Sequence, residues 1–343
     1  MKIAIHKTFW SSFAEDWILY CTKNKIPYKI IDGFSNSVIN DVEDCDIILW
    51  HHHHTIVKDK LIAQKILYSL EQVGKIVFPD WKTGWHFDDK LGQKYLLEAV
   101  GAPVPESYAF YHKKDAMEWA ETAEYPKVFK LRGGAGSLNV KLVKNKMDAD
   151  ALIQQAFGGG FPQYNKIEDI KENLRRWRMS KGSLKDVLKS LRRIFVGTEF
   201  SSVFPVEKGY IYFQEFMPGN EFDIRIIIVG NKAIGIKRMV RKNDFRASGS
   251  GNILYDSKEI DTDCIRIAFE VSKKLGAMVV AYDFVYNKEH RPVIVEINYG
   301  FAQRAYDACP GYWDDNLVFH RGKTDICGWM VEELIKKHEF QIR

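Results

Sequence analysis

No run among the 343 residues approaches the about eighteen apolar positions a membrane helix needs, which excludes a helical span. Cysteine is scarce and unpaired. Cys21, Cys45, Cys264, Cys309 and Cys327 contain no CxxC, which disfavours a zinc ribbon or a disulfide frame and suits a reducing cytoplasm. The N-terminal MKIAIHKTFW meets a histidine after three apolar residues, so it reads as a strand and not as a secretory leader. GxxxxGK[ST] is missing, and no glycine fingerprint leads into a helix. Charge of one sign is not dominant either. A formal net charge of +5 suits small anionic substrates and does not call for nucleic acid.

What is present is ordinary globular composition, 46% hydrophobic and 28% charged, in a chain long enough for two or three cores. The first 80 residues alternate strand and helix patterns: KIAIH, a helix over 11–24 capped by Ser11 or Ser12, YKIIDG, DIILW, a helix over 58–74 ending at Gly74, and KIVFPD. That alternation predicts a parallel sheet covered by helices. A helix over 88–101, capped by Asp88 and stopped by Gly101, leads into a smaller α/β unit with strands near 107–112, 127–131 and 138–143. Residues 158 to about 205 stand apart as an insertion, whose segment 166–193 holds ten Lys or Arg against four Asp or Glu. From Tyr210 the pattern is strand-rich, interrupted by a helix near 261–275 and closed by an amphipathic last helix. The expected domains are 1–85, 86–213 and 214–343.

The sharpest chemical feature is a hairpin pairing AMVVAYDFVY with RPVIVEINY. Strand alternation projects Glu296 and Asn298 to one side, and a turn centred on Glu289 and His290 sets Asp283 across from Glu296. Two opposed carboxylates repel, and a divalent cation among three oxygen donors removes that cost. The bland alternative is a solvated hairpin with chance acids. A second feature, VFKLRGGAGSLNV, runs a strand bearing Lys130 into Gly133, Gly134 and Gly136, which suits either a phosphate cradle or a plain glycine hairpin. A third, QEFMPGNEFDIRIIIVGNKAIGIKRMVRKNDFRASGSG, carries Asp223 and Arg225, then Arg238, Arg241 and Arg246. Guanidinium groups beside a cation site suit a transferring phosphoryl group, while Arg241 and Lys242 fit an outer sheet face better.

In this order, the DK helix, lysine strand with glycine loop, QEF, DIR, FR and D-x12-E-x-N resemble the ATP-grasp superfamily, and within it the RimK-like carboxylate–amine ligases, over about residues 86–300. The resemblance implies an α/β ATP-grasp fold: an N-terminal parallel α/β domain, a small α+β lid and a C-terminal antiparallel-sheet domain that holds Mg2+. It implies ATP as cosubstrate and Mg2+ or Mn2+ as metal. Lys90 and Lys130 match the lysines on the nucleotide phosphates, with Gly133, Gly134 and Gly136 in the loop. Glu215, Phe216 and Met217 match the adenine-reading hinge, and Asp223 the acidic position at the nucleotide. Arg246, with Ser248 two residues on, matches the FR loop. Asp283, Glu296 and Asn298 match the metal ligands. Some relatives carry an arginine two residues before the metal aspartate, where this chain has Ala281, so phosphoryl stabilisation falls to Arg225, Arg238 or Arg246.

The implied reaction activates a substrate carboxylate as an acyl phosphate and joins it to an amine, with small-molecule acid and amine partners. A kinase on the same fold is the first alternative. A binding protein gripping RNA or a membrane surface through Arg175, Arg176, Trp177 and Arg178 is the second. Arg304 is the candidate grip for an acceptor carboxylate, and Trp313, Asp314 and Asp315 the candidate amine pocket. His51 to His54 follow the strand at 46–50, where open α/β sheets bind ligands. Alternation then turns His52 and His54, or else His51 and His53, toward the substrate side, as a loop and not as a metal site.

Overall fold

The structure is a computed structural model. It describes residues 1–7, 12–54, 56–133, 139–162, 170, 173, 174, 177, 183–195, 203, 204, 206–241, 246, 247 and 251–343. The chain opens with β1 (Ile3–His6), α1 (Ser12–Lys23), β2 (Tyr28–Ile31), α2 (Val38–Asp41), β3 (Ile47–Leu49), α3 (Gln64–Gln72), β4 (Ile76–Phe78) and α4 (Trp81–Gly84). A π-helical turn, Asp59–Ala63, leads into α3. Then come α5 (Lys90–Ala99), β5 (Ser107–Phe110), α6 (Lys113–Thr122), β6 (Lys127–Lys130), β7 (Val140–Val143), α7 (Lys146–Phe157), β8 (Phe161–Pro162), α8 (Leu184–Phe195), β9 (Val206–Glu207) and β10 (Ile211–Glu215). The last part holds β11 (Phe222–Val229), β12 (Lys232–Met239), β13 (Ile253–Leu254), α9 (Thr262–Leu275), β14 (Val279–Tyr286), β15 (Pro292–Asn298), β16 (Gly311–Asp314), β17 (Phe319–Arg321) and α10 (Ile326–Gln341). None of the described helices is long and apolar enough to cross a membrane.

The predicted parallel sheet is present, in the order β2-β1-β3-β4. Its strands β1, β3 and β4 are short and buried on both faces, as the apolar runs IAIH, IIL and IVF require, while edge strand β2 is partly exposed. The expected boundary at residue 85 does not separate two cores. Ile3, Ile5, Phe13, Trp17 and Leu49 share one buried cluster with Ile227, Ile236, Val279 and Met330, so the first and last parts of the chain form one unit. That unit comprises Met1–Phe87, Gly92–Pro105 and Met217–Arg343; the other comprises Asp88–Leu91 and Glu106–Phe216. The helix expected from Asp88 starts at Lys90, and Asp88 takes a left-handed φ of +54°. Ser11 lies outside the described residues, and the side chain of Ser12 is not described.

In the first unit, an antiparallel sheet runs β15-β14-β11-β12-β16-β17, with β13 beside β12. Alternation on β11 divides its residues between two cores. Ile224, Ile226 and Ile228 pack with Cys264, Ile265, Ala268 and Val271 of α9. Ile227 and Val229 face the cluster shared with the N-terminal sheet. α9 is capped by Asp261, whose carboxylate accepts from Asp263 N–H at 2.9 Å, and it ends at left-handed Gly276. In the second unit an antiparallel sheet runs β5-β10-β6-β7, and its core joins Phe129, Phe213 and Phe161 to α6 and α7.

Burial in the first unit reaches four histidines. It lowers His6 and His86 to about 4 and His52 to about 3, and it drives His51 well below its ordinary range. Asp59 moves the other way, up to about 6, because burial outweighs the bonds it accepts from His53 N–H and Trp50 Nε1–H. As pH falls below 6.5, the unfolded chain takes up histidine protons that the folded chain refuses, so stability falls with pH; Asp59 returns one proton to the folded side. Burial lowers His53 as well, so histidine uptake outweighs the single Asp59 proton, and each net proton costs about 1.4 kcal/mol per pH unit. Thermal melts should therefore shift steeply downward between pH 6.5 and 5. A melting temperature flat across that interval would contradict the neutral burial of these imidazoles.

Candidate active site

β14 and β15 pair with Asp283 opposite Glu296 and Ala281 opposite Asn298, the register expected from the hairpin. Between these pairs and the turn the register shifts, because Phe284 pairs with Ile294 and Val295 is the extra residue of a bulge. The shift decides the chemistry of the face. Ile294 and Ile297 both enter the core beneath α9, although they are three residues apart. Strict alternation would have put Glu296 on the same side as Ile294. The bulge instead turns Glu296 and Asn298 to the side of Asp283.

On that face the sheet passes from apolar to ionic. Ile227, Val229, Ile234, Ile236, Val279 and Ala281 make its apolar part. Asp223 pairs across β11 and β12 with Arg238, and Arg225 pairs across β11 and β14 with Asp283. Arg238 donates through Nε to Asp223 Oδ1 and through Nη2 to Asp223 Oδ2, both at 2.6 Å. Its Nη2 also lies 3.0 Å from Asp283 Oδ2. Arg225 donates through Nε to Asp283 Oδ1 at 2.5 Å and through Nη2 to Asp283 Oδ2 at 2.6 Å. Such bidentate forks are the strongest carboxylate pairs available to a protein. Burial opposes the Asp283 charge, but Arg225 and then Arg238 overcome it and hold the carboxyl well below its usual range. Burial raises the Tyr306 phenol, against the pull of Arg225 and Arg238 beside it.

Part of the charge expected to need a cation is thus met by two guanidiniums, which face three carboxylates, Asp223, Asp283 and Glu296. The donor set still fits a hard divalent ion. A carboxylate offers about four lone-pair sites. Asp283 spends three of them on Arg225 Nε, Arg225 Nη2 and Arg238 Nη2. Asn298 Oδ1 accepts from Gly300 N–H at 2.8 Å and retains a second lone pair. Glu296, half-buried, lies directly across from Asp283. Among the described residues no group of three His, Cys, Asp or Glu is placed to hold a metal, so Asn298 is needed as the third donor.

The histidine run abuts the end of this strand. A Cβ on Gly300 would lie 2.9 Å from Phe87 Cε2 and 3.5 Å from both Asn298 Oδ1 and the His52 carbonyl oxygen. His52 is buried between Trp50, Phe87 and Tyr299, and His51 stacks on Phe13 with ring centroids 3.7 Å apart. The expected substrate-facing role of His52 is therefore corrected: the ring is enclosed by aromatics, and the peptide backbone forms the contact. His54 is half-buried and stacks on His53. Trp313 is a core residue under α9, and Asp314 accepts from Asn316 N–H and Val318 N–H within a turn, so neither is shaped as an amine pocket. Arg304 is exposed in the short turn Gln303–Tyr306. Arg246 is half-buried, and its carbonyl accepts from Arg241 N–H at 3.1 Å.

The second unit carries the lysines. Lys130, buried at the end of β6, donates to Gln214 Oε1 at 2.7 Å. Lys127, buried on the opposite face of the same strand, pairs with Glu215, which also accepts from Tyr108 Oη at 3.0 Å. The Glu215 side chain is thus spent within its own sheet, leaving backbone groups at the hinge. Lys90 is buried at the first position of α5, and its N–H donates to the Arg132 carbonyl at 2.9 Å. Arg132 N–H donates to Tyr210 Oη at 2.8 Å, which anchors the chain just before Gly133. Phe216 ends this unit and Met217 begins the other. There Asn220 Nδ2 donates to the carbonyls of Met217 and Tyr286 at 3.1 and 2.9 Å. Sequence reasoning missed Lys127, Tyr108, Tyr306 and Asn220; only the Lys127–Glu215 opposition had a signal, in two charges within otherwise apolar strands. Gly134, Gly136, Ser248, Arg175, Arg176 and Arg178 lie outside the described residues, whereas Trp177 is exposed.

Replacing Gly300 with Ala should destabilise the fold by about 1–3 kcal/mol, the range for overpacking a filled site. The clash falls on the Phe87 ring, whereas Asn298 Oδ1 and the His52 carbonyl stay at ordinary contact distance. Unchanged melting would show that the strand end is not held by this contact.

Residues 195–307 match the RimK-like ATP-grasp domain family. The α-aminoadipate–LysW ligase LysX of Saccharolobus solfataricus is 24% identical over 233 residues, covering 67% of this chain and 68% of that protein. The tetrahydromethanopterin:α-L-glutamate ligase of Methanosarcina acetivorans is 26% identical over 170 residues, covering 50% of this chain and 41% of that one. The crystal structure of a RimK domain ATP-grasp protein from Sphaerobacter thermophilus superposes with a TM-score of 0.58 at 13% identity, covering 98% and 100% of the two chains. Residues 195–307 are thus similar to RimK-like ATP-grasp domains, and the superposition over 98% of the chain shows an ATP-grasp fold.

Proposed function

We propose that this chain is an ATP- and Mg2+-dependent carboxylate–amine ligase. The observation that carries the reading is the in-register pair of Asp283 and Glu296, with Asn298 on the same face and buried Arg238 and half-buried Arg225 alongside. A paired acid site flanked by guanidiniums suits a reaction in which negative charge gathers on a transferring phosphoryl group. Relatives named for joining α-aminoadipate to LysW and α-L-glutamate to tetrahydromethanopterin support an amide product with an amino acid as one partner.

In the first step a substrate carboxylate oxygen bonds to the γ-phosphorus of ATP while the bond to the β,γ-bridging oxygen breaks. The electron pair leaves on ADP. In the second step the amine nitrogen bonds to the acyl carbon, the C–O bond to phosphate breaks, and the amine loses a proton to solvent or a nearby base. Lys90 and Lys130 would hold phosphate oxygens by charge, and the hinge at Glu215, Phe216 and Met217 would read the base through its backbone. Asp283, Glu296 and Asn298 would hold Mg2+, which when bound neutralises the phosphate oxygens. No side chain is needed as a nucleophile.

Thermal melts with ATP or ADP and Mg2+ test the nucleotide site first, and stabilisation is expected. Replacement of Glu296 by Ala should abolish that Mg2+-dependent stabilisation; retention of it would remove Glu296 from the metal site. A screen of acid and amine pairs should then give ADP release that requires both. ADP release with a hydroxyl compound alone would make the protein a kinase.

A further inference from the structure

The three candidate arginines are not equivalent, and the inference drawn from their difference rests on the ligase reading. Arg225 is held in place by Asp283, on which it spends Nε and Nη2, with the Tyr306 hydroxyl against it. Arg238 is held from two sides. Asp223 takes Nε and Nη2, and Asp283 takes Nη2 again across the neighbouring strand. This fixes the plane and rotation of the guanidinium, and its Nη1 has no partner among the described residues. Arg238 is buried with 8% of its surface exposed, and Nη1 is not among the fully enclosed polar atoms without a partner. Asp223, conversely, has both oxygens committed to Arg238.

We infer that Arg238 is the catalytic arginine that donates to the transferring phosphoryl group, that Asp223 is its positioning residue and not a nucleotide ligand, and that Arg225 acts by fixing Asp283. The acid expected at the nucleotide thus acts through an arginine. In the transfer step Arg238 neither gives nor takes a proton. It offers Nη1–H to an equatorial oxygen as the new P–O bond forms and the bridging P–O bond breaks. Prior fixing by Asp223 and Asp283 removes the cost of ordering the guanidinium at that moment.

The test compares two complexes that need neither acid nor amine: ADP with Mg2+, and ADP with Mg2+ and aluminium fluoride, which mimics the phosphoryl group in flight. Calorimetry is run on wild type, Arg238→Lys, Asp223→Asn, the double variant and Arg225→Lys. Arg238→Lys keeps the charge but loses the fork. It should bind ADP-Mg within about threefold of wild type and lose about 100-fold on the fluoride complex, the scale for one transition-state donor. Asp223→Asn should show the same split, and the double variant should be no worse than Arg238→Lys alone, as expected for residues acting as one unit. Arg225→Lys should weaken both complexes together through Asp283.

Loss of ADP-Mg binding by more than about tenfold in Asp223→Asn, with the fluoride increment intact, would make Asp223 a nucleotide ligand and overturn the inference. So would a fluoride complex untouched by Arg238→Lys. If Asp223→Asn does not fold, Arg238→Lys still decides. Arg238→Ala, with guanidinium ion added back, supplies the second reading: recovery of the fluoride complex supports the role and no recovery opposes it. A wild type that binds no ADP-Mg would refute the ligase reading and this assignment with it, whereas the variant outcomes above overturn the assignment alone.

Discussion

Two carboxylates and two guanidiniums, taken out of water together on one sheet face, set the terms for the rest of the first unit. Breaking such a buried pair by removing one partner costs about 3–5 kcal/mol, so the arrangement is all-or-nothing. β11 must carry an acid and a base two residues apart, and β12 and β14 must each present the complement in register. The neighbouring isoleucines and valines exclude water from the same face. The strands are long there, eight residues in each of β11, β12 and β14, because one sheet must supply an apolar floor at one end and an ionic patch at the other.

The histidine run fits the same logic from the other side. A chain leaving β3 needs bulk against Tyr299 and Phe87, and neutral imidazole provides a flat ring, at the cost of ring nitrogens buried in His51 and His52 with no hydrogen-bond partner among the described residues. His51 and His52 thus serve as aromatic packing beside the end of the strand that bears Asn298. The cost appears as acid sensitivity. A segment that looked like a metal tag or a substrate wall behaves as part of the scaffold.

Much of this was legible in the sequence. The pairing of Asp283 with Glu296 followed from hairpin symmetry, the parallel sheet from strand–helix alternation, and the ATP-grasp order from spaced motifs. Other features depend on distances that no local pattern contains. Asp223 and Arg238 are fifteen positions apart, and their pairing follows only once the β11–β12 register is known. The sharing of one core by the first and last parts of the chain depends on which apolar faces meet. His52 fits neither a helical nor a strand period, so its burial carried no periodic signal.

The bulge at Val295 has an evolutionary consequence. A strand with perfect alternation tolerates exchange of one apolar residue for another but fixes the face of every position beyond it. One supernumerary residue leaves the faces as they are: without Val295, Ile294 would adjoin Glu296 directly, and plain alternation would still set Glu296 beside Asp283 and Ile297 in the core. The spacing between the two acids can therefore shorten by this one residue without exchanging the faces of the hairpin.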